Sequence, residues 1–354
     1  MGELLADHTT LRLGGSARQW LTHVHPADWT DLARTVRGPV FTLGGGSNTV
    51  APDAGYDGTV IHMATRGIGV STAEGGGVEV TVQAGEDLSA LVAFTVAERL
   101  SGIEYLGGIP GMAGAAPVQN TGAYGQQIAD TLTRVSAYDW QTGRTVHLTP
   151  GVCAFGYRTS LFKSTPGRFA ILALTIRLTR SPLAAPVTYQ PLADQLGVRR
   201  GTRVALGEAA AAVLADRAER GLLLPDEGPD ARQVGSVFLN PTVTDDQADA
   251  VRVAGGPVHR GTDSRLRASA GWLLEHTGHH PGQALAPGVY CSSRRTLTLT
   301  ARAGATATAF VHAAGLLAAR VRSATGIRLH VEPACLGLPS PKGAALPQMG
   351  VPGT

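Results

Sequence analysis

One stretch constrains this chain more than any other: Gly102 to Asp130, GIEYLGGIPGMAGAAPVQNTGAYGQQIAD. Its first half, to Gly114, is glycine-rich; its second half turns polar at Gln119-Asn120-Thr121-Gly122-Ala123-Tyr124-Gly125. Residues without a Cβ let the backbone take conformations closed to other residues, so a ligand can lie directly against main-chain N–H groups. A loop this long inside a compact domain is commonly functional. A second glycine cluster stands upstream. Pro39 to Leu43 reads as a buried strand that empties into Gly44-Gly45-Gly46-Ser47-Asn48. Consecutive N–H groups there can converge on a phosphate. The cluster is neither a P-loop nor GxGxxG. By itself it is equally an ordinary turn after a strand.

Around these two clusters the pattern is α+β with short, segregated strands rather than βαβ repeats. Helical spacing marks Pro26–Val36, Leu88–Arg99, Leu206–Arg220, a segment near 245–253, Ser269–Thr277 and Gly304–Ala324. Strands are expected at Gly58–His62, Gly77–Gln83, Ala170–Leu178 and Arg295–Thr300, with a hairpin pairing Leu132–Tyr138 and Arg144–Leu148. Residues 181–205 are Pro-rich and then polar, which reads as a linker. The tail from Leu338 is rich in Pro and Gly and is expected to be disordered.

Bulk properties exclude several function classes. At 354 residues the chain has room for two or three domains. A net charge of +3 gives no case for nucleic-acid or membrane-surface binding. No apolar run approaches the roughly 18–20 residues of a membrane span, and the N-terminus lacks the pattern of a signal peptide. Cys153, Cys291 and Cys335 are few and far apart, with neither disulfide nor zinc spacing. No metal site is expected. The expectation is a soluble cytoplasmic monomer.

The motifs gain force from their order. TTLRLGGSA at 9–17, LGGGSN at 43–48, GIPG…GAAPVQNTGAYG at 108–125 and the Tyr157-Arg158 to Phe162-Lys163 block come first. GSVFLNP at 235–241, SAGWLLE at 269–275 and LHVEP at 329–333 follow. In this series, over about residues 8–337, the chain resembles the UDP-N-acetylenolpyruvoylglucosamine reductases, the MurB family, and within it the subgroup with a longer tyrosine loop. The resemblance implies an α+β fold of the vanillyl-alcohol-oxidase-like (PCMH) type, with FAD between two subdomains and a third domain over the substrate. The implied division is 1–62 with 325–337, 63–200, and a substrate-binding domain at 201–324. The family uses NADPH to reduce an enolpyruvyl ether on UDP-N-acetylglucosamine to the lactyl ether, toward UDP-N-acetylmuramate for peptidoglycan.

The resemblance also assigns roles. Gly44, Gly45, Gly46, Ser47, Asn48, Arg66, Gly108, Ile109, Pro110, Gly111, Gly114, Gln119, Asn120, Gly122, Ala123 and Tyr124 would hold FAD. Arg158 would stabilise the negative charge that develops beside the enolpyruvyl carboxylate, where fixed cationic donors act most strongly. Ser236 would donate the proton and Glu332 would be the third catalytic residue. Tyr157, Tyr189, Arg220 and Asn240 would face the substrate; Arg220 stands where the family usually has lysine. Many PCMH oxidases attach flavin through His or Cys, but no residue here matches such a site, so FAD is expected to be non-covalent. Departures from the usual pattern are Gly107 for Ser, Asp87 for Trp, Thr159 for Asp, Val237 for Phe, Val331 for Pro and Ala301 for Asn. They leave open a paralogue acting on another enolpyruvyl nucleoside. A flavin-binding protein without catalysis is a further alternative, opposed by the intact Arg158, Ser236 and Glu332.

Overall fold

A computed structural model describes residues 2–73 and 76–338; the expected disorder of the tail concerns residues that lie, beyond Leu338, outside this range. Contacts divide the chain into two compact units. Among the described residues no helix is long and apolar enough to cross a membrane.

One unit comprises Gln19–Gly45 and Thr59–Leu223 and contains the whole glycine-rich stretch. Its main sheet has the spatial order Arg144–Leu148, Leu132–Asp139, Phe169–Arg180, Val78–Gln83, Ile68–Thr72, with every neighbouring pair antiparallel. The hairpin expected at 132–148 is present, with Asp139 opposite Arg144. Val80, Val82, Leu174 and Ile176 alternate inward and bury the sheet face against Leu88, Leu91 and Val92 of the Leu88–Ala97 helix. Asp87, the departure from Trp, caps that helix by accepting from the Ala90 N–H at 2.8 Å. The strand Val40–Leu43 runs parallel to Thr59–His62 and leads straight into the Gly44 turn.

The linker expected at 181–205 is instead packed. Ala184, Val187, Leu192 and Ala193 are buried with Tyr105, and Gln190–Gln195 is a short helix. A fully buried carboxylate holds the segment: Glu104 Oε1 accepts from the Ala185 N–H at 2.5 Å and the Ser101 hydroxyl at 3.1 Å, and Oε2 accepts from the Gly102 N–H at 2.6 Å. The Tyr105 hydroxyl donates to the Ala185 carbonyl at 2.6 Å. The Leu206–Glu219 helix buries Leu206, Ala209 and Val213 in the same cluster. The boundary expected at 200/201 therefore falls inside a packed unit that continues to Leu223. Only a few scattered apolar residues of the segment reach this core, so its composition resembles that of a loop.

The other unit comprises Met1–Arg18, Gly46–Gly58 and the chain from Leu224. Its sheet has the order Gln233–Ser236, Thr298–Ala301, Val289–Cys291, Ala284–Ala286. The Ala307–Thr325 helix covers the core with Phe310, Val311, Ala314 and Leu317. Its start is doubly held: Thr306 accepts from the Ala309 N–H at 3.0 Å, and the Asp53 carboxylate accepts from the N–H groups of Ala307 at 2.7 Å and Thr308 at 3.1 Å. Gly326, with φ 69°, ends it. A short parallel pair joins Ala334–Cys335 to Thr49–Val50.

Candidate active site

In the unit that contains Ser236, three blocks far apart in sequence are tied together through their backbones. Thr10, in the block TTLRLGGSA, has a hydroxyl that donates to the Gln233 carbonyl at 2.5 Å and approaches the Gly46 carbonyl at 3.5 Å. The Ala334 N–H donates to the Asn48 carbonyl at 2.9 Å. The Glu332 N–H donates to the Val237 carbonyl at 2.8 Å, next to the Phe238–Val331 bridge. Gly46–Asn48, Ser236 and Glu332 are thus held in one framework. The strand carrying Ser236 pairs irregularly with Thr298–Ala301 between Gln233 and Ser236, and Gly235 within that irregularity has φ 70°. Such bulges re-aim a side chain at the end of a strand. Ser236, Asn240 and Glu332 are all half-buried. Asn240 Oδ1 accepts from the Ala270 N–H at 2.9 Å, so one side of its amide is already engaged at the start of a helix.

Gly46 has φ 62°, and a Cβ there would run into the His8 carbonyl. Its N–H is buried and donates to no acceptor among the described residues. The N–H of half-buried Asn48 also donates to no acceptor among the described residues.

In the unit that contains Arg158, the glycine-rich stretch is pinned to the end of the Val78–Gln83 strand. Leu88 N–H donates to Gly111 O at 2.9 Å, Ala113 N–H to Glu86 O at 2.7 Å, and Gly114 N–H to Ala84 O at 2.9 Å. Gly44 and Gly45 lie against it: a Cβ on Gly45 would stand 3.3 Å from Gly111 Cα, and one on Gly44 would stand 3.3 Å from Met112. Gly111 has φ 116°, and Gly114 has no room for a Cβ, with Ala84 at 2.5 Å. Ile109 packs on the core, and its carbonyl accepts from Ser89 at 3.2 Å. Arg66 is exposed and reaches Glu86 at 3.4 Å. Backbone with no space for side chains, as at Gly45 and Gly114, lets a dinucleotide lie against main-chain groups, so these glycines fit FAD.

Arg158 sits at the tip of a tight turn. Gly156 and Thr159 exchange backbone hydrogen bonds at 3.1 and 3.4 Å around Tyr157-Arg158. Arg158 has φ 53°, and its Nη2 donates to the Gly122 carbonyl at 2.9 Å. Asn120 and Tyr124 also have positive φ, 49° and 51°. Non-glycine residues in this region are strained and cluster at functional sites. The Asn120 side chain is internally engaged: Nδ2 donates to Gln127 Oε1 at 2.8 Å and Gly156 O at 3.2 Å, and Oδ1 accepts from the Ala129 N–H. Its part is to build the loop that carries Arg158 and Gly122. Lys163 Nζ reaches Gln119 at 3.4 Å and the Arg158 carbonyl at 3.1 Å. Tyr157 is exposed.

Tyr124 and Tyr189 pack edge to face with ring centres 5.6 Å apart. The Tyr124 hydroxyl donates to Asp216 Oδ2 at 2.6 Å, and Arg220 Nη1 reaches the same oxygen at 3.1 Å. Burial, with Asp216 as the next cause, pushes the Tyr124 phenol up, so it stays a donor. Asp216 and Arg217 went unnoticed in the sequence because both sit on an ordinary Ala-rich helix. Arg217 is buried; desolvation lowers its guanidinium, and its Nε has no hydrogen-bond partner among the described residues. A Cβ on Gly108 would stand 3.1 Å from that Nε. The only available signal was the i, i+4 spacing of Asp216 and Arg220.

Comparison with known proteins bears on what this arrangement serves. Residues 23–149 match a family model described as an FAD binding domain. Residues 228–336 match one described as the C-terminal domain of UDP-N-acetylenolpyruvoylglucosamine reductase. The chain is 42% identical over 345 residues to the UDP-N-acetylenolpyruvoylglucosamine reductase of Salinispora arenicola, covering 93% of each chain. It is 40% identical to the protein of that name from Streptomyces coelicolor, covering 94% of this chain and 89% of the other. For the Thermobifida fusca protein of that name the figures are 39%, 94% and 97%. The fold matches a crystal structure of MurB from Thermus caldophilus with a TM-score of 0.64 at 23% identity, over 94% of this chain and 97% of that one.

Proposed function

The chain belongs to the UDP-N-acetylenolpyruvoylglucosamine reductase family, and on that footing we propose that it is an FAD-dependent UDP-N-acetylmuramate dehydrogenase. It uses NADPH to reduce UDP-N-acetylglucosamine enolpyruvate to UDP-N-acetylmuramate, the peptidoglycan precursor on which cell-wall growth, cell shape and division depend. It works as a cytoplasmic monomer. The reading keeps two flavin-binding subdomains and a substrate-binding domain, the last taken to begin at Leu224, where a compact unit resumes. The observation that carries the reading is the tying of Gly46–Asn48, Ser236 and Glu332 into one backbone framework.

Bound FAD supplies two-electron transfer between the nicotinamide and the enolpyruvyl double bond. The chain's residues do the rest. The N–H groups at Gly46 and Asn48 would hold the pyrophosphate. All three cysteines are buried, which supports a non-covalent cofactor. Arg158, permanently charged and fixed in its turn, holds the substrate carboxylate as negative charge develops at the adjacent carbon. Ser236 delivers the proton to that carbon; as a weak acid alone it depends on neighbouring charge. Glu332 orients or protonates the intermediate. Tyr157, Tyr189, Arg220 and Asn240 contact the nucleotide sugar.

Three departures from the family pattern, Val237, Val331 and Ala301, are buried core residues and so change packing rather than ligand contacts. They give no support to a different substrate. Purified protein is expected to be yellow and to release FAD on mild denaturation. Ser236→Ala should leave flavin reduction by NADPH intact and slow the enolpyruvyl half-reaction by at least about 10²-fold. Equal slowing of both half-reactions would remove Ser236 from the donor role.

A further inference from the structure

One carboxylate oxygen holds two side chains assigned to ligand contact, and a third packs on one of them. Asp216 Oδ2 accepts from the Tyr124 hydroxyl at 2.6 Å and from Arg220 Nη1 at 3.1 Å, while Tyr189 packs on the Tyr124 ring. The Asp216 side chain is mostly covered and that of Arg220 about half exposed, at 15% and 43%. The other donors of Arg220, Nε and Nη2, bond no acceptor among the described residues. One edge of the guanidinium is therefore fixed while another stays available, and bidentate contact suits arginine to phosphate.

The geometry points to Asp216 as a positioning residue for the nucleoside diphosphate of the substrate, acting through Arg220 and Tyr124 without touching the ligand. This rests on the function proposed above. Two effects of the carboxylate oppose each other. A negative charge near Arg220 repels phosphate. A partner that holds Arg220 in place removes the cost of ordering a flexible side chain on binding. The second effect wins here, because the Asp216 charge is already shared between two donors. Without Asp216, Arg220 would have to be ordered by the ligand, and the Tyr124 hydroxyl would lose its acceptor.

The test is calorimetric titration of FAD-loaded protein with UDP, with flavin content measured for every variant as a control on folding. Asp216→Ala should weaken UDP binding about 5- to 10-fold even though it deletes a negative charge. In an Arg220→Ala background the same change should leave affinity unchanged or raise it, since only repulsion would remain. Asp216→Asn, which keeps an acceptor for Tyr124, should fall between wild type and Asp216→Ala. In steady state, Asp216→Ala should raise KM for the UDP-sugar by a similar factor, with kcat within about 3-fold. Tighter UDP binding by Asp216→Ala would overturn the inference, as would an equal loss in both backgrounds. Wild-type protein that retains FAD but binds no UDP would overturn the underlying substrate reading itself.

Discussion

Gly46 and Gly107 are both glycines of the proposed cofactor region, and a methyl group separates them. At Gly46 the backbone is left-handed and the Cβ position is filled by the His8 carbonyl. At Gly107 φ is −54° and the nearest atom to a Cβ is 3.5 Å away, so a side chain fits. Gly107→Ser, which restores the usual family residue, should change stability by no more than about 0.5 kcal/mol, the range for benign substitutions. Gly46→Ala should lower the flavin content of purified protein severely; equal flavin content in both variants would contradict this account. His23 supplies a different residue-scale test. Its ring is buried edge-on to Trp29, and desolvation by burial holds its pKa below 6.5. Below the unfolded value the unfolded chain binds a proton that the folded chain resists. The stability this gives is complete above pH 6.5 and declines as pH falls toward the folded pKa. The Tm should therefore drop as pH falls below about 6.5, and His23→Phe should flatten that slope. An unchanged slope would mean that His23 does not sense pH.

Elements were legible wherever a period could be read. The helices at 88–97, 206–219, 270–276 and 307–325 stand within a few residues of their expected bounds, since each carries an apolar face. Strands without a buried face were not legible. Ile68–Thr72 is half-buried only at Ile68 and exposed along the rest, so it shows no alternation. Val258–Arg260, Ala284–Ala286 and Val289–Cys291 have three residues each, too few for a period to register. The segment 181–205 misled through composition, because its buried residues are few and scattered and its anchor, Glu104, lies in a different block. Glu104→Ala would leave the N–H groups of Gly102 and Ala185 unpaired, each worth about 1–3 kcal/mol when buried. Thermal or denaturant unfolding should report a loss in that range or above. A change below about 0.5 kcal/mol, the surface-like range, would show that the segment is not held by this carboxylate.

At the scale of the whole molecule the chain does not fold in sequence order. One unit takes its residues from three separated stretches, so Thr10, Gly46, Ser236 and Glu332 meet only after the chain has returned to Leu224 and beyond. No local period announces such an assembly. The blocks themselves were legible because glycines, a positive-φ arginine and a bulged serine each need a particular sequence at a particular place. Their side-chain partners were not, since Asp216 and Arg217 look like any helix surface. On the function proposed above, the protein reduces an enolpyruvyl UDP-sugar with electrons carried by FAD. Anaerobic stopped-flow absorbance at the flavin band tests that most directly. Protein bleached by one equivalent of NADPH should regain its colour on mixing with UDP-N-acetylglucosamine enolpyruvate and yield UDP-N-acetylmuramate. Flavin that NADPH bleaches but that this substrate leaves bleached would contradict the claim.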